Sequence, residues 1–137
     1  MKRDALDAIF SDLVRERADW TCERCRLYLP ERKGRGMHCS HHYGRRNRSV
    51  RWYPLNAACL CHNCHQWYTD YPFEGAQWLA RTLGPLLDIL RERAHTPRKY
   101  TAAERREMLA HYREQHARLM QRRHEGCQGR LEFEGYD

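Results

Sequence analysis

Four cysteines of the chain form two Cys-x-x-Cys pairs, Cys22 with Cys25 and Cys61 with Cys64. Two such pairs are a frequent ligand set for structural zinc, which prefers four thiolates in a tetrahedral shell. The residues between the pairs suffice for a β-hairpin, so both pairs can meet at one ion. The spacing therefore predicts a structural Zn²⁺ site, and four protein ligands leave no open position for a reactive water.

A structural zinc site with four cysteine ligands does not require the neighbouring residues His41, His42, Asn56 and His65. Hydrolysis of a phosphodiester requires a base that deprotonates water and a cation that stabilises the leaving oxyanion. We assign His42 as the general base, because a neutral imidazole accepts a proton near pH 7. Asn56 is predicted to orient the ring of His42 through its side-chain carbonyl oxygen. His41 and His65 are predicted to hold a catalytic divalent ion.

Each of these residues also has a simpler interpretation. The two adjacent histidines could lie on the surface of a hairpin, His65 could cap the zinc knuckle, and Asn56 could be a turn residue. All four residues lie at motif-like spacings from the second cysteine pair, and this combination favours a catalytic site over four unrelated residues. The other three cysteines, Cys39, Cys59 and Cys127, are expected to be free thiols, with Cys59 left as an alternative zinc ligand.

The charge of the chain is unevenly distributed. The 137 residues carry a formal net charge of +7, yet residues 32–69 contain no Asp or Glu. A basic run is often only a solvated loop, but this one coincides with the candidate site, which favours a phosphate-binding face. The residues predicted to contact DNA are Arg45, Arg46, Arg48 and Arg51.

Hydrophobic spacing predicts the elements around the site. Residues 4–18 are predicted as an amphipathic helix, residues 37–43 as a strand that ends at the histidines, and residues 50–53 as a second strand. A further helix is predicted to begin near His62. The fold class is therefore α+β: a small ββα core stapled by a four-cysteine zinc site and flanked by N-terminal and C-terminal helices. Residues 1–72 are assigned to the N-terminal helix and this core.

Residues 73–137 are assigned to a helical extension packed on or beside the core. Helices are predicted over residues 74–83, ended by Gly84, and from Pro85 to the Thr96-Pro97 stop. A capping box, Thr101-x-x-Glu104, opens a long helix to about residue 125. The tail after residue 130 is expected to be ordered only if it docks.

The spacing Asn56-x4-Cys61-x2-Cys64-His65, after a knuckle and a histidine pair, resembles the zinc-containing HNH (ββα-metal) endonucleases. The resemblance covers residue 22 to about residue 68 and implies a metal-dependent DNA endonuclease. In those enzymes the residue before the base is usually an Asp ligand, where this chain has His41. Two neutral imidazoles favour Mn²⁺, Ni²⁺ or Zn²⁺ over Mg²⁺ as the catalytic cation.

A narrower resemblance is to the phage Rap/NinG recombination endonucleases. It is carried by His42-Tyr43, Arg51-Trp52, Lys99-Tyr100-Thr101 and Tyr112-Arg113. It implies a nuclease that acts on branched or recombination DNA in a phage or prophage setting. Those proteins tend to have Gly at position 41 and Asn at position 65, and their upstream histidine maps near His38 or Cys39. His38 is therefore an alternative first ligand of the catalytic ion.

Two other functions compete with the nuclease. A non-catalytic zinc-stabilised nucleic-acid-binding module would need the cysteines and the arginines but not the histidines in register. An interaction adaptor would use the long C-terminal helix if its apolar stripe, residues 108–120, were exposed. A homodimer is left open, because one such site cuts one strand at a time. The chain shows no signal peptide and no membrane-spanning run, so we expect a cytoplasmic protein, in a bacterial host if phage-encoded.

Overall fold

The structure, a computed structural model, describes residues 1–29 and 36–137. The cations Arg32, Lys33 and Arg35 of the acid-free run, and most of the charged turn predicted at residues 31–36, lie outside the described residues. Within the described ranges the chain is mixed α+β, with five α-helices and one antiparallel sheet of two strands.

Helix α1, Ala5–Arg17, has Asp4 as its N-cap and matches the predicted amphipathic helix. The Asp4 carboxylate accepts from the backbone N–H of Asp7, and the Asp7 carboxylate accepts from that of Asp4, which completes a capping box. The apolar face of α1 is buried and forms one wall of the core: Leu6, Phe10, Leu13 and Val14.

The sheet consists of β1, Met37–His41, and β2, Ala57–Cys61, in antiparallel register with Met37 opposite Cys61 and His41 opposite Ala57. The prediction of a strand at residues 50–53 is wrong. That segment turns: the Val50 N–H donates to the Asn47 carbonyl at 3.2 Å, and the Tyr53 N–H donates to the Val50 carbonyl at 3.1 Å. The side chains of Val50 and Trp52 are buried, but the segment does not pair with either strand.

Helix α2, His62–Asp70, follows β2 directly and begins where the sequence predicts. Helix α3, Pro72–Leu83, starts two residues before the predicted helix and ends at Gly84, which has a φ of +53°. Helix α4 spans Leu86–Ala94. The capping box at Thr101 and Glu104 is confirmed and opens α5, Ala102–His124.

Helix α5 packs along α1 and completes the core. Of the predicted stripe, Met108, Tyr112 and Leu119 are buried, whereas Leu109 is half-buried and Met120 is 38% exposed. The tail docks beside the buried residues through Leu131 and Phe133. The core therefore contains residues from both sides of the predicted boundary at residue 72. Because most of the stripe is covered within the monomer, it does not offer the continuous exposed surface that the adaptor hypothesis requires.

Candidate metal centre and histidine face

The four predicted cysteines converge. The knuckle of the first pair is closed by a bridge between Thr21 and Tyr28, and the Glu23 N–H donates to the Cys59 carbonyl at 2.8 Å, which docks it on β2. The second pair starts α2, where Cys61 is the N-cap and its sulfur accepts from the Cys64 N–H at 3.4 Å.

The sulfurs of Cys22, Cys25, Cys61 and Cys64 all lie within 4.8 Å of one another. The Cys25–Cys61 sulfur distance is 3.7 Å. A tetrahedral ion with Zn–S bonds of about 2.3 Å separates its sulfurs by about 3.8 Å. The cluster therefore fits one tetrahedral metal ion.

The thiols of the cluster differ in their surroundings. Burial raises the pKa of Cys61, and it raises that of Cys64 to about 12, so a bound metal ion would have to displace their protons. Burial disfavours the charged form of Cys22, but hydrogen bonds from the backbone at Cys25, Cys61 and Arg24 outweigh it and lower its pKa to about 7. The Arg24 guanidinium donates to the Cys64 sulfur at 3.4 Å and stacks 3.5 Å from the centre of the Trp67 ring. A cation held beside the cage offsets part of the negative charge that four thiolates and one Zn²⁺ leave.

The remaining cysteines stay outside the cluster, as predicted. Burial raises the pKa of Cys39 to about 11 and that of Cys59 to about 12, so both are neutral thiols. Cys59 is not one of the converging sulfurs, which removes it as an alternative ligand. Cys127 is half-buried near the C-terminus and is also a free thiol.

The two adjacent histidines lie on opposite sides of the chain, because successive side chains alternate across a strand. His41 faces α1: its ring lies 6.0 Å from that of Phe10, and its Nε2 donates to the Arg51 carbonyl at 3.1 Å. His41 is thus half-buried against α1. No described contact brings it to His65, its predicted partner in holding the catalytic ion.

The alternative ligand, His38, does meet His65. Their Nδ1 atoms lie 2.8 Å apart, and the ring of His62 lies 5.6 Å from that of His38. Two nitrogens in adjacent octahedral positions at about 2.1 Å from an ion are about 3.0 Å apart, so the pair has nearly ligand spacing. Burial, followed by the charges of neighbouring histidines, lowers the pKa of His38 and of His65, which favours neutral imidazoles.

This histidine face, His38, His62 and His65, borders a depression of about 210 Å³ that Gln66 and Thr69 also line. Among the described residues, only the four-cysteine cluster brings three or more candidate ligand atoms within 4.8 Å of one another. An ion held by His38 and His65 would therefore take its remaining ligands from water or another molecule.

His42 lies on the same side of the chain as His38 but has different neighbours. Its Nδ1 lies 2.9 Å from the Tyr68 hydroxyl, and its ring lies 6.3 Å from that of Trp78. Burial lowers the pKa of His42 to about 3 and raises that of Tyr68 to about 12, so both groups are neutral at physiological pH. Tyr68 was missed from the sequence, although it lies one helical turn after His65.

Asn56 does not contact the ring of His42. Its side chain is fully buried and clamps the backbone of the next residue, accepting from the Tyr43 N–H and donating to the Tyr43 carbonyl, each at 2.8 Å. The Asn56 carbonyl accepts from the His42 N–H at 2.8 Å. Asn56 therefore fixes the loop after β1, and the residue that contacts the ring is Tyr68.

The predicted site thus divides into two. His42 borders a different cleft from the histidine face, one of about 450 Å³ with Trp78 and Arg17 in its walls. A base must approach the reacting water to hydrogen-bond distance, and the described contacts of the His42 ring are with Tyr68 and Trp78 and not with His38 or His65.

The predicted DNA-binding arginines also differ among themselves. Arg51 is only 7% exposed and is paired with Asp7, so we withdraw it from the phosphate-binding set. Arg45 is half-buried and lies 3.7 Å from the same carboxylate. Arg46 and Arg48 are exposed and form no ion pair within the described residues.

Comparisons with protein-family models, with curated proteins and with solved structures give no match for this chain. Within the described ranges, no helix has both the length and the apolar character needed to cross a bilayer.

Proposed function

We propose that the chain is a metal-dependent DNA endonuclease of the HNH type that hydrolyses phosphodiester bonds and carries structural zinc on its four-cysteine cluster. The observation that carries the proposal is the meeting of His38 from β1 with His65 from α2, beside a cage that ties the start of α2 to the knuckle. A hairpin, a helix and a pair of imidazoles at one edge form an arrangement in which a divalent ion can contact a phosphate.

In this proposal His38 and His65 hold the catalytic cation through neutral imidazoles. When bound, a divalent ion supplies positive charge for the developing oxyanion. Imidazole ligands favour Mn²⁺, Ni²⁺ or Zn²⁺ over Mg²⁺. The resemblance to recombination endonucleases extends the proposal to branched DNA as a substrate.

Two histidines compete for the role of general base. The resemblance implies His42. In this structure the residue that contacts its ring is Tyr68 rather than Asn56. Proximity to the proposed ion favours His62, which is exposed and lies beside His38. The two assignments predict different variants as inactive.

The test is cleavage of supercoiled plasmid and of a four-way junction in EDTA, Mg²⁺, Mn²⁺ or Ni²⁺. Wild type is compared with His65→Ala, His62→Ala and His42→Ala, and with His124→Ala as an exposed control histidine. Metal-dependent cutting that His65→Ala abolishes and His124→Ala retains supports the nuclease. Loss in His62→Ala alone, or in His42→Ala alone, identifies the base. Wild-type protein that cuts neither substrate in any ion contradicts the proposal.

A second candidate is the non-catalytic zinc-stabilised nucleic-acid-binding module. The observation in its favour is the separation of His42 from the histidine face, together with the exposure of Arg46 and Arg48. This alternative predicts a gel shift of both DNAs without cutting, unchanged by His65→Ala.

A further inference from the structure

A shallow groove of about 490 Å³ lies between two segments that are distant in the sequence. One wall is the loop of residues 46–49, between the strands. The other wall is residues 94–99, the connection from α4 to α5. Five of the residues that line the groove have basic side chains: Arg46, Arg48, His95, Arg98 and Lys99. Neither Asp nor Glu is among the lining residues.

Hydrogen bonds hold the two walls in a fixed relation. The Ser49 hydroxyl donates to the Thr96 carbonyl at 2.7 Å and accepts from the Arg98 N–H at 3.0 Å. The Asn47 side-chain amide donates to the Ala94 carbonyl at 3.0 Å. Ser49 itself is buried, so its two bonds are partly shielded from water. Hydrogen bonds between the two segments therefore define the shape of the groove.

The cations of the groove are largely uncompensated. Arg46, Arg48 and Lys99 are exposed and make no ion pair within the described part of the chain. Arg98 is the exception, because it pairs with Glu104 at 2.6 Å and lies 3.8 Å from Asp137. Three free cations on an open surface lined by no carboxylate create a local positive potential.

We infer that this groove binds the phosphodiester backbone of duplex DNA, so that the α4–α5 connection belongs to the nucleic-acid interface. The inference rests on the proposed function in taking DNA as the substrate, and it gives the helical extension a part in binding. Phosphates occur at regular spacing along a duplex and are held by Arg and Lys side chains without reading the sequence. An open groove with cations on both walls matches that repeating charge.

The experiment is fluorescence anisotropy of a short labelled duplex with full-length, zinc-loaded protein, titrated at several salt concentrations without added divalent ion. Lys99→Ala tests the new wall, Arg48→Ala tests the loop wall, and Arg113→Ala is an exposed arginine of α5 outside the groove. Each groove variant is expected to weaken binding about eightfold at 0.1 M salt and to reduce the slope of log K against log salt by about 1. Circular dichroism checks that each variant is folded.

Lys99→Ala that binds no more weakly than Arg113→Ala overturns the inference, whatever the nuclease assay shows. If wild type binds and the two groove variants lose affinity on unrelated duplex sequences alike, the inference stands even when no metal ion supports cutting. If wild type cuts DNA and Lys99→Ala cuts it equally well at every salt concentration, the endonuclease stands and the groove is not its interface.

Discussion

Asp7 of α1 and Arg51 of the loop between the strands form a two-point ion pair in the core. Arg51 Nε lies 2.9 Å from Oδ1 of Asp7, and Arg51 Nη2 lies 2.5 Å from Oδ2. Oδ1 also accepts from the Trp52 indole N–H at 3.0 Å. One carboxylate thus fastens the long inter-strand loop to the first helix, and the loop in turn presents Arg46 and Arg48 to solvent.

Replacing Asp7 by Asn should destabilise the protein by about 3–5 kcal/mol, because the Arg51 charge is left buried without its partner. Glu114→Gln is the matched control: Glu114 also pairs with an arginine, Arg118, at 2.9 Å, but both side chains are 62% exposed. Exposed pairs contribute about 0–1 kcal/mol. Urea unfolding of both variants measures the difference, and equal losses would contradict a structural role for the buried pair.

Removal of the metal should unfold the ββα unit. We expect about one zinc ion per chain by elemental analysis, and loss of structure in Cys22→Ser, because structural zinc contributes about 10–16 kcal/mol in apparent terms. Cys127→Ser changes a half-buried thiol outside the cluster and should retain both metal and fold. Retention of zinc by Cys22→Ser would mean that the ligand set is different.

Asn56→Ala should lower the free energy of unfolding by about 1–3 kcal/mol, because it leaves the Tyr43 N–H and carbonyl without their partners. Asn63→Ala removes an exposed asparagine of α2 and should have little effect. Equilibrium unfolding in urea separates the two. A variant Asn56→Ala as stable as wild type would show that the clamp on Tyr43 contributes nothing.

The buried neutral His42 should make stability depend on pH. Burial lowers its pKa to about 3 in the folded protein, whereas the unfolded chain binds the proton near 6.5. The unfolded state therefore takes up more protons as the pH falls below about 6.5, and stability is lost in that direction. From pH 7.5 to 5.5 wild type should lose about 1 kcal/mol more than His42→Gln. Parallel urea titrations with zinc present check this, and identical losses would place His42 in a solvated environment.

The same pKa bears on catalysis. An imidazole that is neutral throughout pH 5–8 gives no rise of activity across that range from its own deprotonation. If His42 is the base, its own titration should therefore leave the pH–activity profile flat over that range.

Local sequence was sufficient for the helices and the cysteine cluster. The capping signals at Asp4 and Thr101 begin α1 and α5 as predicted, since a cap satisfies backbone groups within one turn. The Cys-x-x-Cys spacing likewise specifies a knuckle turn by itself. The second strand was mislocated because the apolar residues at 50 and 52 are buried by long-range contact with distant parts of the chain, which no local pattern records.

The spacing of the histidines was evident in the sequence, but the sequence did not show which of them would face the core and which would face a site. Residues 38 and 42 share one side of the chain and residue 41 takes the other, as alternation requires. Which face belongs to the core and which to a site depends on where the helices pack. Helix α1 covers the side of His41, and α2 brings His65 to His38 and Tyr68 to His42. The sequence determined the ligands available to a metal, and only tertiary packing decided which of them meet, because contacts between distant elements depend on burial of the whole core.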